Sequence, residues 1–455
     1  MGANFNLKTL TVALAALSAA SIASAAGLDR SGQDITAFLQ DGTYAEAVYT
    51  YLDADVSGHD NAYVGPDKNA YQQGKKIDDI AESYDFFRYG VKADINDTFS
   101  VGVLYDEPFG AAAAYTGDNN FVTTDNKDAL VQGLLQKLTG QPSSLTKEQV
   151  DASIPRLENA IKNNLYPEGP ALETVKTQLA GLKAAQALAE TAGEATNVEV
   201  RSESITAILG MKFGENKNFQ VYGGPVAQRV QADVKLRGTA YNLASGYTTH
   251  ISPAQDYGWL VGASYSKPEI ALQAALTYRS EIDHSLPIGE TFFSDKVSTI
   301  DITTPKSVNF DFQTGINPTT LATAKVRWVP WSDFEIVPPL YNERSGLPLV
   351  SYDEDQWLVE LGLAKRLTPA LAVTGNIGWD SGAGNPVTSL GPIEGYYSAG
   401  LGAKYNFTEN WAISAGGKYL WFGDAKGQIP TKAVVSNFED NDGFALGMKL
   451  SYQAK

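Results

Sequence analysis

A two-faced segment recurs fourteen times along this chain, and its clearest copy is Ile270 to Glu281. There Leu272, Ala274, Leu276 and Tyr278 share one face, while Gln273, Ala275, Thr277, Arg279 and Glu281 share the other. Strand side chains alternate faces with period two, so each copy reads as a strand with one oily and one polar side. The connections alternate as strictly as the side chains. Those after strands two, four, six, eight, ten and twelve are short turns, such as Gly214-Glu215-Asn216-Lys217 and Asn317-Pro318-Thr319, and those after odd-numbered strands are long. A soluble sandwich has no reason to gather every long loop on one rim. A membrane barrel does, with short periplasmic turns, long extracellular loops and strands of about 9–11 residues. The pattern predicts an all-β, 14-stranded antiparallel transmembrane β-barrel over residues 44–455, with both chain ends on the short-turn side.

On the polar faces stand Arg88, Lys92, Lys212, Arg229, Arg279, Lys325, Arg327, Glu360, Lys404 and Lys449. A Lys or Arg facing lipid at the midplane costs roughly 2–4 kcal/mol, which assigns these charges to the lumen. Aromatic residues at strand ends, among them Tyr49, Phe99, Trp328, Trp379, Tyr405, Trp411, Trp421 and Tyr452, suit interfacial girdles. Ahead of the barrel, residues 1–25 read as a cleaved signal peptide: Lys8, an apolar run from Leu10 to Ala20, then Ala23-Ser24-Ala25. Export to the outer membrane of a Gram-negative cell follows. Residues 26–43 form a short segment with no lasting periodicity, placed as an N-terminal hatch. The chain has no cysteine, which excludes disulfides and thiolate metal sites, and its net charge of −17 argues against nucleic acid as a partner. Outer-membrane lipid and lipopolysaccharide are the expected surroundings of a monomer.

Between strands three and four the period changes. Thr124 or Asp125 can cap a helix running through Leu138 and ended by Gly140. Thr146 opens a second helical stretch that Pro155 divides or restarts. Ala171 to Glu190 repeats apolar residues at three and four, as an amphipathic helix does. Residues 124–196 therefore read as a helical extracellular insert, either a self-packed cap or a shelter for a greasy ligand over the mouth.

At this point the chain resembles the FadL family of outer-membrane transporters for long-chain fatty acids and other hydrophobic compounds. Leu276-Thr277-Tyr278-Arg279-Ser280-Glu281 is similar to a strand of that family, preceded by the glycine-rich Tyr257-Gly258-Trp259-Leu260-Val261-Gly262. Pro305, Trp328, Trp331-Ser332-Asp333-Phe334 and Gly378-Trp379-Asp380-Ser381 extend the resemblance across roughly residues 200 to 455. It implies a lumenal hatch and a kinked third strand that opens the wall sideways; Pro108 and Gly110 fall where that kink belongs. The chain departs from the family in its short 26–43 segment, which lacks an Asn-Pro-Ala signature, and in carrying its helical insert after strand three instead of strand five. Where the family has a lysine near strand ten, this chain reads Tyr352-Asp353-Glu354-Asp355.

The expected activity is passive transport. Each buried CH₂ of a fatty acid gains about 0.8 kcal/mol, so an apolar groove under the loops collects the tail. The carboxylate needs a cation, and Arg229 and Arg279 are the candidates, against the alternative that both pair with Glu281, Asp233 or Glu360. No cofactor, metal or catalytic residue is expected. A barrel enzyme would need a nucleophile and base, and the three histidines, His59, His250 and His284, sit in stretches read as loops without a triad context. The acidic run Phe438 to Gly443 lacks the ligand spacing of a calcium loop. A porin for small polar solutes is the alternative function.

Overall fold

The computed structural model describes residues 28–454, so the signal segment lies outside the described residues. Strand one (Thr43–Asp55) pairs antiparallel with strand two (Tyr84–Asp94) and with strand fourteen (Asp442–Ala454), which closes the barrel. Strand three (Phe99–Asp106) resumes at Gly110–Ala114; strands four (Asn197–Phe213), five (Phe219–Lys235) and six (Thr248–Lys267) follow. Strand seven (Leu272–Arg279) resumes at Ile282–Thr291, and strand eight (Asp295–Thr304) at Ser307–Asn317. Strands nine (Thr320–Val329), ten (Gln356–Arg366), eleven (Leu371–Asp380), twelve (Tyr396–Asn406) and thirteen (Trp411–Phe422) complete the circle. The result is a closed 14-stranded antiparallel barrel. No helix among the described residues is long and apolar enough to cross a membrane.

Alternation decides what each face carries. Outward stand Val103, Leu209, Met211, Leu276, Leu361, Leu401 and Leu446, all exposed, a continuous apolar surface far beyond what a water-soluble protein shows. Aromatic rings border it. Phe213, Phe219 and Tyr265 line up across neighbouring strands at the short-turn end, as do Trp411 and Tyr452; Trp379, Tyr397 and Trp421 line up at the other. Trp411 and Trp421 lie ten residues apart on one strand. That is about 33 Å along the strand. Tilted by about 40°, it becomes about 25 Å, the height of a bilayer's apolar band.

Strands four, five and six run for 17, 17 and 20 residues, more than a crossing requires, and so project beyond the upper aromatic ring. Their projecting parts meet the cap. Three helices, Lys127–Thr139, Lys147–Lys162 and Pro170–Glu190, pack on one another through Val131, Leu134, Val150, Ile154, Leu182 and Ala185. Asn126 caps the first, accepting from the Ala129 amide, and Gly140 ends it at φ 69°. Thr146 and Gln149 form a reciprocal capping box at the second, which continues unbroken through Pro155. A second roof is a five-stranded sheet in which the hairpin Gly58–Asn61 and Gln73–Ile77 joins loop strands that follow barrel strands eleven and thirteen.

Candidate functional site

The segment before strand one lies inside the barrel, with residues 28–39 buried almost throughout. It is too short to form its own core and is held by charge instead. Arg327, fully buried on strand nine, donates from Nε and Nη2 to the two oxygens of Asp29, both at 2.8 Å. Its Nη1 donates to Asn309 Oδ1, and Asn309 donates back to the Gly32 carbonyl. Asp34 lies 3.0 Å from Arg88 Nη1, Arg88 bonds Glu46, and Lys449 completes the chain from strand fourteen. Lower still, Phe38 packs on Tyr222, and the Tyr222 ring fills the space left by the absent side chain of Gly262. A buried ion-pair network of this kind fixes position more than it adds stability, because desolvating the charges offsets much of their attraction.

Above this segment the lumen is apolar. Leu28, Phe109, Val200, Val230, Ala232, Ile251, Ile302, Trp331 and Ile336 form one packed cluster under the loops. Trp331, from the Trp-Ser-x-Phe stretch, is wholly buried and meets Phe109 edge-on at 5.7 Å. The cluster contains two voids of about 20 and 30 Å³, each the size of a water or two. Space on the scale of a ligand lies higher, in a groove of about 1030 Å³ between the first helix and the Gly58–Ile77 hairpin. Leu130, Leu134 and Leu188 give it an apolar wall; Asn119, Asn120 and Lys137 are polar. Lys137 makes no ion pair.

The wall's ladder is interrupted at strand three. Its ladder to strand two stops at Tyr89 opposite Tyr105 and resumes only where Ala81 meets Ala113. Pro108 lies in the interruption, where a missing N–H costs no ladder bond. Residues 28–31 take up the freed groups: the Pro108 carbonyl accepts from the Arg30 amide at 2.7 Å, and the Gly110 amide donates to Leu28. The Arg30 guanidinium sits in the gap, 3.9 Å over the Tyr84 ring, and a Cβ on Gly110 would lie 2.3 Å from its Cζ. Glu107 closes the outer side by accepting from the Phe87 amide at 3.2 Å. Pro108 therefore lies in the interruption, and Gly110 begins the strand's second part. Leu28 and Arg30 carry no sequence signal and are placed there only by the fold.

The two candidate arginines part company. Arg279 is buried in the lumen, bonded to Thr206 Oγ1 at 3.2 Å, with its Nε–H unpartnered and no carboxylate in ion-pair range. The carboxylate whose field acts on it most is Asp106, at the lower lip of the gap. Arg229 is a correction: it is exposed on the outer surface of strand five, opposite Glu203. Strands four and five project above the apolar band there, so an outward charge costs nothing. Glu281 also faces outward, 4.0 Å from Lys306, because the break after Arg279 reverses the alternation; Glu360 is taken by Lys418. In the acidic stretch that replaces a lysine, Asp355 bonds Trp328 Nε1 at 3.0 Å and Ser332, while Tyr352 is buried beside the apolar cluster.

A closed barrel with an internal N-terminal segment, an apolar upper lumen and an interrupted third strand defines a class of internally plugged β-barrel. No family model matches the chain, and no curated protein does. Solved structures do. A FadL homologue of Pseudomonas aeruginosa superposes with a TM-score of 0.63 at 12% identity over 99% of both chains. The toluene transporter TodX of P. putida gives 0.51 at 11% identity over 92% of this chain and 91% of its own. The toluene transporter TbuX of Ralstonia pickettii gives 0.50 at 9% identity over 91% and 90%. The chain has the FadL-family fold.

Proposed function

We propose that this protein carries long-chain fatty acids or related hydrophobic compounds across the outer membrane without energy input, collecting them in the mouth groove and releasing them sideways through the gap at strand three. The observation that carries the reading is the sharp division of the lumen. The apolar cluster reaches from the loops down to Leu28 and Phe109 at that gap, and directly beneath it the Asp29–Arg327 and Asp34–Arg88–Glu46–Lys449 charges close the straight way down. A greasy solute can follow the first region and has no reason to enter the second. The same seal weighs against a porin. The FadL-family fold and the two toluene transporters that share it support the reading.

Arg279 is the cation proposed for the carboxylate. It lies at the floor of the apolar region with an unused N–H, and a charge-assisted bond of this type is worth about 1.5–3 kcal/mol. The test is uptake of radiolabelled palmitate and of radiolabelled toluene by cells lacking other such transporters. Wild-type protein is expected to raise uptake of at least one of them, and Arg279→Ala to lower palmitate uptake about tenfold while sparing toluene. Equal loss of both would remove Arg279 from carboxylate binding.

A further inference from the structure

The wall has a second break of the same kind. Strand seven pairs with strand six up to Arg279 opposite Leu260, and again from Ile288 opposite Ile251. Register is kept on both sides, and the Ser280 amide still donates to the Trp259 carbonyl at 2.9 Å, yet above that bond residues 252–258 and 281–287 form no ladder pair between them. Pro253 lies on one edge and Pro287 on the other, and neither can donate to a ladder. Tyr105, just below the gap in strand three, lies on one row of ladder pairs with Ile205, Ala227 and Tyr257. Tyr257 and Trp259 belong to the upper aromatic ring, and the seam begins beside them.

Side chains, not backbone, keep this seam shut. Ile282 crosses to Gly258, where an added Cβ would come within 2.6 Å of Ile282 Cγ1. His284, fully buried, bonds Gln228 Oε1 at 3.0 Å through Nε2 and places Nδ1 3.2 Å from Asp256 Oδ2. Gln228 is turned to receive it, since its own Nε2 donates to Ser204 and its Oε1 also accepts from Thr304. Immediately behind lies the void lined by Val230, Ile251, Ile302 and Thr304, whose opposite wall is Phe109 of the strand-three break. One apolar space thus touches both interruptions.

We propose that the seam between strands six and seven is a second lateral port, through which hydrophobic compounds pass between the upper lumen and the outer interface of the membrane, just above the upper aromatic ring; this rests on the transport reading above. Opening it requires moving Ile282, His284 and Leu286, with no ladder bond to break. The chain has no native cysteine, so paired cysteines can be bridged cleanly. Phe87→Cys with Glu107→Cys spans the strand-three gap, and Gln255→Cys with Ser285→Cys spans the seam; a short thiol–thiol crosslinker closes each, with closure read by mass. With the strand-three gap closed, uptake of labelled palmitate or toluene is expected to persist, and to be lost when the seam is closed as well. Complete loss on closing strand three alone, or no change on adding the seam crosslink, overturns the second port. Unbridged protein that takes up neither probe overturns the transport reading itself. A second readout does not depend on transport: in vesicles, a fatty acid with a photoreactive tail is expected to label peptides containing Ala254, Ile282 or Leu286. Labelling confined to the outward apolar band contradicts the port.

Discussion

Arg327 shows what a single side chain does in this lumen. It is wholly buried and spends its donors on Asp29, Asn309 and Gln33, so one guanidinium docks the start of the N-terminal segment while Arg88 holds Asp34 further on. Asp29→Asn leaves that cation unpaired at a cost of about 3–5 kcal/mol. The expected outcome is release of the segment, read as a rise in single-channel conductance in a planar bilayer with heat-modifiability retained. In the external loop before strand twelve, burial pushes the Glu394 carboxyl up to about 7. A carboxyl raised on folding adds stability below its unfolded value near 4.3 and loses that contribution as pH rises through about 7. Proteolysis of the external loops should therefore quicken from pH 5 to pH 8 in wild type and less so in Glu394→Gln; equal quickening would contradict it. Arg229 and Arg279 mark how far single residues could be read in advance. Each sits on the polar side of a period-two pattern, but the pattern does not say how high a residue stands. Arg279 falls below the upper aromatic ring and must turn inward, whereas Arg229 stands above it and turns to water.

At the scale of elements, proline marks where the wall's ladders lapse. Pro108 and Pro305 sit in the breaks of strands three and eight, and Pro253 and Pro287 flank the seam. Pro225, beside Gly223 and Gly224, falls where strand five skips its pairs to Ala207 and Ile208. Fourteen strands and their turns were legible because alternation and turn chemistry are local. The lapses were half legible: a proline announces one, but which neighbour loses the pair depends on the circle. The insert was legible in its periods and its Gly140 and Thr146 caps. Pro155 did not divide the second helix, since a helix tolerates one lost amide bond when its capping box and its packing through Val150 and Ile154 remain. The insert is also a separable module, because Val122 meets Ala195 and Thr123 bonds Glu194 and Gly193 at its base. Replacing residues 127–190 by a short Gly-Ser linker should leave the barrel heat-modifiable and lower uptake at limiting substrate. Unchanged uptake would exclude the groove beside the first helix from capture.

As a whole, the molecule is two compartments stacked in one cylinder, a greasy one beneath the loops and a charged one around residues 29–42. The greasy side of this division could not be foreseen from spacing, since Leu28, Phe109 and Trp331 come from stretches far apart in sequence and meet only on closure. Under the proposed function, the division predicts a transport route that leaves through the wall and never through the floor. Its most direct test locks the floor. Ser307 Oγ donates to Gln33 Oε1 at 2.6 Å, so a short reducible thiol–thiol crosslinker between Gln33→Cys and Ser307→Cys can tie the N-terminal segment to strand eight. With the crosslink formed, uptake of labelled hydrophobic compound should continue at the unlocked rate; uptake abolished by crosslinking and restored by reduction would show that the solute goes through the floor, and would contradict the account.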